Sequence, residues 1–472
     1  MKSLAAAICL SGVSSSAWMR GRAWLYVFLV ICYVIGKIGH VAALAPVLST
    51  LSLVAIIVSL PAVGSATRVL TALFLGGGTF MLYWKNVPWS QYLGAFGEMA
   101  YLLALIAVVP ILSTPVRLGG YGGAIQTALR GRIAGVWGLN CLATTLAFVC
   151  GSFMSLAAVP IMIASLEQVV GSYPLRNPVR FMAVSATYGY VLPILWTPVS
   201  GVVGVVLHSL HVDWLSLFPI LFALSVAALC SNWAIFYLLG LWGGERSAPI
   251  TAEPTQHEMA SPVSRLLQML LAIVLLVLAI VFLEEWFQIG LVTVVTLISV
   301  PFALAWSAAL GQTEGFLKET GSQLVPGLSR MSNQFAIFLS AGYFAKAMHL
   351  SDADHAANMI FLSLHDAVGT QLFLTLIPVM ALIASFLGLH PLVAIALLGE
   401  SLKPEVLGIN LIQLAITLIG SSVLTYMLGP FSGTLGLVQS INQVSTFRLS
   451  LWNAPYAAGY FVLLIVVILN LT

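Results

Sequence analysis

LPILWTPVSGVVGVV (Leu192–Val206) and LTYMLGPFSGTLGLV (Leu424–Val438) are the two stretches that decide the fold. Aligned without gaps they share Leu192/Leu424, Pro198/Pro430, Ser200/Ser432, Gly201/Gly433, Gly204/Gly436 and Val206/Val438; 430 − 198 gives an offset of 232, close to half of 472 residues. A Pro-X-Ser-Gly string inside an apolar run is costly as continuous helix, because proline removes a hydrogen bond and glycine favours coil. In hydrocarbon such a break persists only where protein or a water-filled cavity satisfies the freed backbone. The freed amides, carbonyls and hydroxyls can then face a solute or ion, with helix ends pointing at the break. A single copy reads as well as a packing kink, since Gly and Ser let helices approach closely. Recurrence at the half-chain offset points instead to a duplicated binding element, with Thr197, Ser200 and Gly201 set against Gly429, Ser432 and Gly433.

Around these strings, 60% of the chain is hydrophobic and 7% charged, against about a quarter charged in soluble domains. Each crossing takes roughly 20 apolar residues. The expected fold is therefore an all-α polytopic membrane protein of about eleven transmembrane helices plus two re-entrant hairpins. The polar segment Gly243 to Arg265 reads as a linker between two halves. Residues 1–40 form a tail and an extra first helix, 41–242 a first repeat and 266–472 a second. Long runs at 133–170 and 357–399 are the expected hairpins, and 181–207 and 408–438 the expected broken helices. Pro160/Pro391 and Glu167/Glu400 repeat the offset within the hairpin runs, since 391 − 160 = 231 and 400 − 167 = 233.

Basic residues set orientation. Arg20, Arg22, Arg68, the Arg117/Arg130/Arg132 cluster, the linker, Lys318 and Arg330 fall on the cytoplasmic side; Glu284, Glu285, Asp352 and Asp354 fall outside. The two hairpins then enter from opposite sides, as in an inverted-repeat transporter. The faint signal-peptide character of Met1 to Met19 is countered by Arg20 and Arg22, so an uncleaved cytoplasmic tail is expected. The net charge of +3 is scattered, which argues against nucleic-acid binding. Cys9, Cys32, Cys141, Cys150 and Cys230 have no metal-ligand spacing and read as buried packing residues.

In the hairpins, Ser155 and Gly388 are candidate tip residues for substrate, balanced by the need of any buried turn to satisfy itself. Ionisable groups inside spans are functional suspects. Asp366, Glu400 and His390 are the coupling candidates, each weighed against an interfacial carboxylate or a structural turn histidine. No Walker-A string, GxSxG elbow, HExxH or paired CxxC occurs, so no enzyme activity and no cofactor are expected beyond Na+ or H+ as coupling ion.

WTPVSG (Trp196–Gly201), GPFSG (Gly429–Gly433) and FMSLAAVPI (Phe153–Ile161) resemble the broken-helix strings and a hairpin tip of the ion transporter superfamily, in particular its divalent anion:sodium symporter branch with the arsenite and citrate carriers. Leu156 stands where that tip has Asn, and the second tip offers Gly388, Leu389 and His390. The resemblance implies an extra first helix, two opposed hairpins, two broken helices and a homodimer in a bacterial inner membrane. The expected function is a cation-coupled secondary transporter of a small anionic organic solute, working by alternating access at the repeat interface. A lipid-linked carrier or flippase is the alternative, and an intramembrane enzyme built on His365 and Asp366 the remoter one.

Overall fold

The computed structural model describes residues 15–130, 135–243 and 262–471. Every regular element among them is helical, as a chain in lipid requires when its backbone groups must be satisfied within each segment. Ten of these helices are long and apolar enough to cross a membrane, and the chain is a multi-pass all-α membrane protein. The ten count the hairpin run 135–170 and the broken helix 411–442 as single spans, and leave out 178–210 and 332–350. Most of the expected linker, 244–261, and Cys9 and Arg132 lie outside the described residues.

The chain forms two compact units, Met1–Ala107 with Glu314–Ser351, and Val108–Thr313 with Asp352–Thr472. In the first, Ser332–Leu350 packs against Ser65–Trp84 and Leu44–Ser59. Tyr343 is buried at the centre, stacked on Phe96 at 4.2 Å and bonded through its hydroxyl to Thr79 at 3.0 Å. Ser15–Ile38 joins this core through Tyr26, whose ring stacks on Phe335 at 3.7 Å.

The second unit holds both hairpins and both broken helices. Gly135–Met154 turns through Ser155–Ala157 into Ala158–Val170. Thr370–Phe386 turns through residues 387–390 into Pro391–Ser401. The broken helices are Pro178–Val191 with Gly201–Leu210, and Leu411–Leu428 with Gly433–Asn442. Asn177 caps the first by accepting from the Arg180 amide at 2.9 Å, and Asn410 caps the second by accepting from the Ile412 amide at 2.9 Å. Such caps fix where a helix begins, and 410 − 177 = 233. Helix starts at Ala100/Ser332, Tyr121/Ala353, Gly201/Gly433 and Trp214/Thr446 all differ by 232.

Two expectations need correcting. The second hairpin begins at Thr370 rather than near 357, because Gly369 at φ +80° ends the separate helix Ala353–Val368. Its counterpart Tyr121–Arg130 precedes the first hairpin, in what the sequence presents as a loop. Cys230 on Trp214–Gly243 is exposed and Cys141 half-buried, not buried as expected, whereas Cys32 and Cys150 are buried.

Candidate functional site

Each break is filled in from outside by the helix that follows it. At the first, Leu192–Leu195 tightens into a 3-10 turn, and Ser200 opens Gly201–Leu210. The Leu192 carbonyl accepts from Ser225 Oγ at 3.0 Å and the Trp196 carbonyl from Trp214 Nε1 at 2.9 Å. At the second, the Met427 carbonyl accepts from Asn453 Nδ2 at 3.0 Å and the Leu428 carbonyl from Ser450 Oγ at 2.6 Å. These side chains supply the donors that proline and the changed backbone direction remove.

The half-helices pack crosswise. Gly201–Leu210, from the first break, lies against Pro391–Ser401, the return arm of the second hairpin. Gly433–Asn442, from the second break, lies against Ala158–Val170, the return arm of the first. Close approach of the first hairpin to the first broken helix depends on two glycines. A Cβ on Gly151 would stand 3.1 Å from Tyr190 Cα, and one on Gly189 would overlap Ala147.

The two tips converge on Gly433. A Cβ placed there would sit 3.8 Å from Leu156 Cδ2, on the first tip, and 3.9 Å from His390 Nε2, on the second. Ser155 holds the first tip in the left-handed region at φ +51°, a conformation that costs a non-glycine residue about 1 kcal/mol or more. The hydroxyl of buried Tyr190 faces Ser155 and Thr434, and Tyr426 meets the His390 ring edge-on at 6.0 Å. None of Ser155, Tyr190, His390, Tyr426, Gly433 and Thr434 carries a fixed charge. What polarises this point is a set of hydroxyls, an imidazole and the N-terminus of Gly433–Asn442, where amides present partial positive charge.

The other sequence-derived candidates take distinct places. Thr197 donates to the Ser152 carbonyl at 3.1 Å, tying the first break to the outgoing arm of the first hairpin. Ser200 and Gly201 start the half-helix that runs to the second hairpin, where Ser209 Oγ donates to Glu400 Oε1 at 2.6 Å. Ser432 is a cap: its hydroxyl donates to the Tyr426 carbonyl at 3.2 Å and accepts from the Leu435 amide at 3.3 Å. Gly429 allows the second break to meet Ser385, whose hydroxyl is buried and has no hydrogen-bond partner among the described residues. Gly388 has φ +106°, a backbone that suits the end of Thr370–Phe386, and open space around its Cβ position. Asp366 lies on Ala353–Val368, outside the hairpin, with 68% of its side chain exposed and its Oδ1 on His365 Nδ1 at 3.2 Å.

Sequence reasoning passed over Tyr190, Tyr426 and Thr434. The signal was present: a tyrosine in an apolar run needs a partner for its hydroxyl, Tyr426 lies inside the repeated string, and Thr434 follows Ser432-Gly433 directly.

No protein-family model matches the chain, and no curated protein matches it in sequence. Among solved structures it is similar to the Alcanivorax borkumensis YdaH transporter, whose structure is described as revealing an unusual topology. The two align with a TM-score of 0.58 and 16% identity, over 84% of this chain and 98% of that one. At that identity the likeness is one of fold alone.

Proposed function

We propose that the protein is a secondary active transporter of a small anionic organic solute, coupled to sodium or protons, with its binding site where the hairpin tips meet the second break. The observation that carries this reading is the convergence of Leu156 and His390 on Gly433, beside an amide-rich helix start in the interior of a membrane protein. Broken backbone at such a position marks binding sites in transporters built from inverted repeats. The recurring helix starts at the 232 offset and the crosswise packing of half-helices support that architecture here. The YdaH structure, named as a transporter, supports the same reading through fold alone. The superfamily resemblance adds a homodimer in a bacterial inner membrane to the proposal.

The hydroxyls of Ser155, Tyr190, Tyr426 and Thr434 and the amides that open Gly433–Asn442 are donors that a carboxylate accepts from, which supports an anionic solute. The test is a thermal-stability screen of the full-length protein in detergent against small carboxylates, each with and without sodium and across pH. A bound ligand raises the unfolding midpoint by favouring the folded state. The expected result is stabilisation by at least one carboxylate, lost in Gly433→Val, which crowds Leu156 and His390. Equal stabilisation of wild type and Gly433→Val would overturn the site, and stabilisation by long-chain lipid carriers alone would overturn the solute class.

A further inference from the structure

At one end of the unit built from residues 1–107 and 314–351, the first turns of Ser15–Ile38 meet the last turn of Thr313–Arg330. Between them lies a cavity of about 650 Å3 whose lining includes Arg20, Arg22, Val325, Pro326, Ser329 and Arg330. Three guanidinium groups line it, and no carboxylate does among the described residues. Volumes of this size are typical of small-molecule sites.

Arg22 is 7% exposed. One end of its guanidinium is used structurally: Nη2 donates to the Ser329 carbonyl at 3.1 Å and to Ser329 Oγ at 2.9 Å, capping the end of Thr313–Arg330. Its Nε is buried and has no hydrogen-bond partner among the described residues. A buried, cationic N–H left unmet is unfavourable. Capping accounts for Nη2 and leaves Nε unmet among the described residues; Arg330, which donates its own Nε to the Pro326 carbonyl at 3.1 Å, and Arg20 add positive charge to the same space.

We propose that this cavity binds the phosphodiester headgroup of an anionic phospholipid. Phosphate oxygens match the planar guanidinium fork and take charge-assisted hydrogen bonds from it. The depth is right for a headgroup. The apolar span begins at Ala17, which sets Arg20 and Arg22 roughly 4 to 8 Å along the helix axis from its start, at the boundary of headgroup and hydrocarbon. Half-exposed Trp18 and Trp24 stand at the same level, where interfacial aromatics collect. Along the same helix the exposed side chains of Phe28, Ile31 and Ile35 offer an apolar strip for acyl chains. A zwitterionic lipid presents the same phosphate but adds a cation, which three arginines disfavour. Basic pockets between membrane helices hold anionic headgroups for this reason.

Native mass spectrometry of the full-length protein in mild detergent, with equimolar dioleoyl phosphatidylglycerol and dioleoyl phosphatidylcholine, tests the assignment. Wild type should retain phosphatidylglycerol over phosphatidylcholine by about tenfold or more, and the Arg20→Gln/Arg330→Gln double variant should lose about tenfold of that preference. Arg22→Lys keeps the charge and loses the fork, and should fall between; where it fails to fold, the double variant decides. Equal retention of the two lipids by wild type, or an unchanged preference in the double variant, would overturn the proposal. Complete displacement of phosphatidylglycerol by millimolar inorganic phosphate would overturn it in favour of a free-anion site.

Discussion

Tyr188 donates its hydroxyl to the carbonyl of Ala228 at 2.9 Å. The bond has a reversed counterpart: Tyr460 donates to the carbonyl of Gly420, also at 2.9 Å. Since 420 − 188 = 232 and 460 − 228 = 232, the same two stations are used twice, with the tyrosine moved from the broken helix to the helix after it. Gly420 has no room for a side chain, because a Cβ there would overlap Leu464. Tyr188→Phe and Tyr460→Phe should each lower stability by about 1 kcal/mol, and the double variant by an amount that departs from the sum, because Tyr188 packs at 6.0 Å on Tyr456, one turn from Tyr460. Thermal unfolding in detergent measures this. Unchanged midpoints would mean that these bonds hold nothing together.

The left-handed backbone at Ser155 gives a prediction with two signs. Ser155→Gly relieves the φ of +51° and should leave the unfolding midpoint equal or higher, while removing the hydroxyl that Tyr190 faces. Ser155→Val keeps the turn under added strain and should destabilise by about 1 to 2 kcal/mol. Carboxylate stabilisation should fall in both. If Ser155→Gly retains it in full, the serine acts in the turn alone.

Gly388 provides a comparison in the second tip. At φ +106° an alanine is strained even with open space around its Cβ, so Gly388→Ala should cost about 1 kcal/mol of stability. Ligand affinity should be preserved, because the residue ends a helix. A selective loss of ligand binding at unchanged stability would restore Gly388 as a binding residue.

Orientation can be read by labelling single cysteines with an impermeant thiol reagent in a background lacking the five native ones. Ser322→Cys, between Lys318 and Arg330, and Ala356→Cys, beside His355, are both exposed positions. They should react from opposite sides of the membrane, Ser322→Cys from the cytoplasm. Reaction from one side would remove the opposed entry of the two hairpins.

For coupling, Glu400 is favoured over Asp366. Glu400 accepts from Ser209 across the contact between the first half-helix and the second hairpin, whereas Asp366 is largely exposed on a separate helix. With the stabilising carboxylate as solute in proteoliposomes, Asp366→Asn should leave uptake unchanged. Glu400→Gln should reduce the response to an imposed pH gradient about tenfold or more, the scale of a lost charge-assisted bond. Uptake that needs sodium and ignores both the gradient and Glu400→Gln would exclude the proton-coupled form.

The large features were legible because they are set by composition and local chemistry: apolar runs, the Pro-X-Ser-Gly breaks and the 232 offset all sit in the string itself. Asn177 and Asn410 were legible in principle, since an Asn before an apolar run is a cap signal, and they were not used. The site was half visible. Gly433 and Ser155 belong to it, but Tyr190 enters from another helix, and no local pattern says which tyrosine hydroxyl will face which tip. Asp366 misled because Gly369, a single helix-ending residue, moves it from an arm of the hairpin onto the preceding helix. Charge within an apolar stretch reports burial only when the helix boundaries are right.

The donors that complete each break come from the next helix in the chain, Ser225 and Trp214 for the first, Asn453 and Ser450 for the second. This has a consequence for biogenesis. A ribosome delivers Pro178–Leu210 to the membrane before Trp214–Gly243 exists, and Leu411–Asn442 before Thr446–Leu469. Until that partner emerges, the carbonyls at Leu192, Trp196, Met427 and Leu428 lack these donors, and lipid supplies none. Each broken helix should therefore remain at the insertion machinery until its follower arrives, and the two should leave together. Nascent chains stalled one ribosome-tunnel length beyond residue 213 should crosslink to that machinery through the first break, and chains stalled one tunnel length beyond residue 243 should have released it.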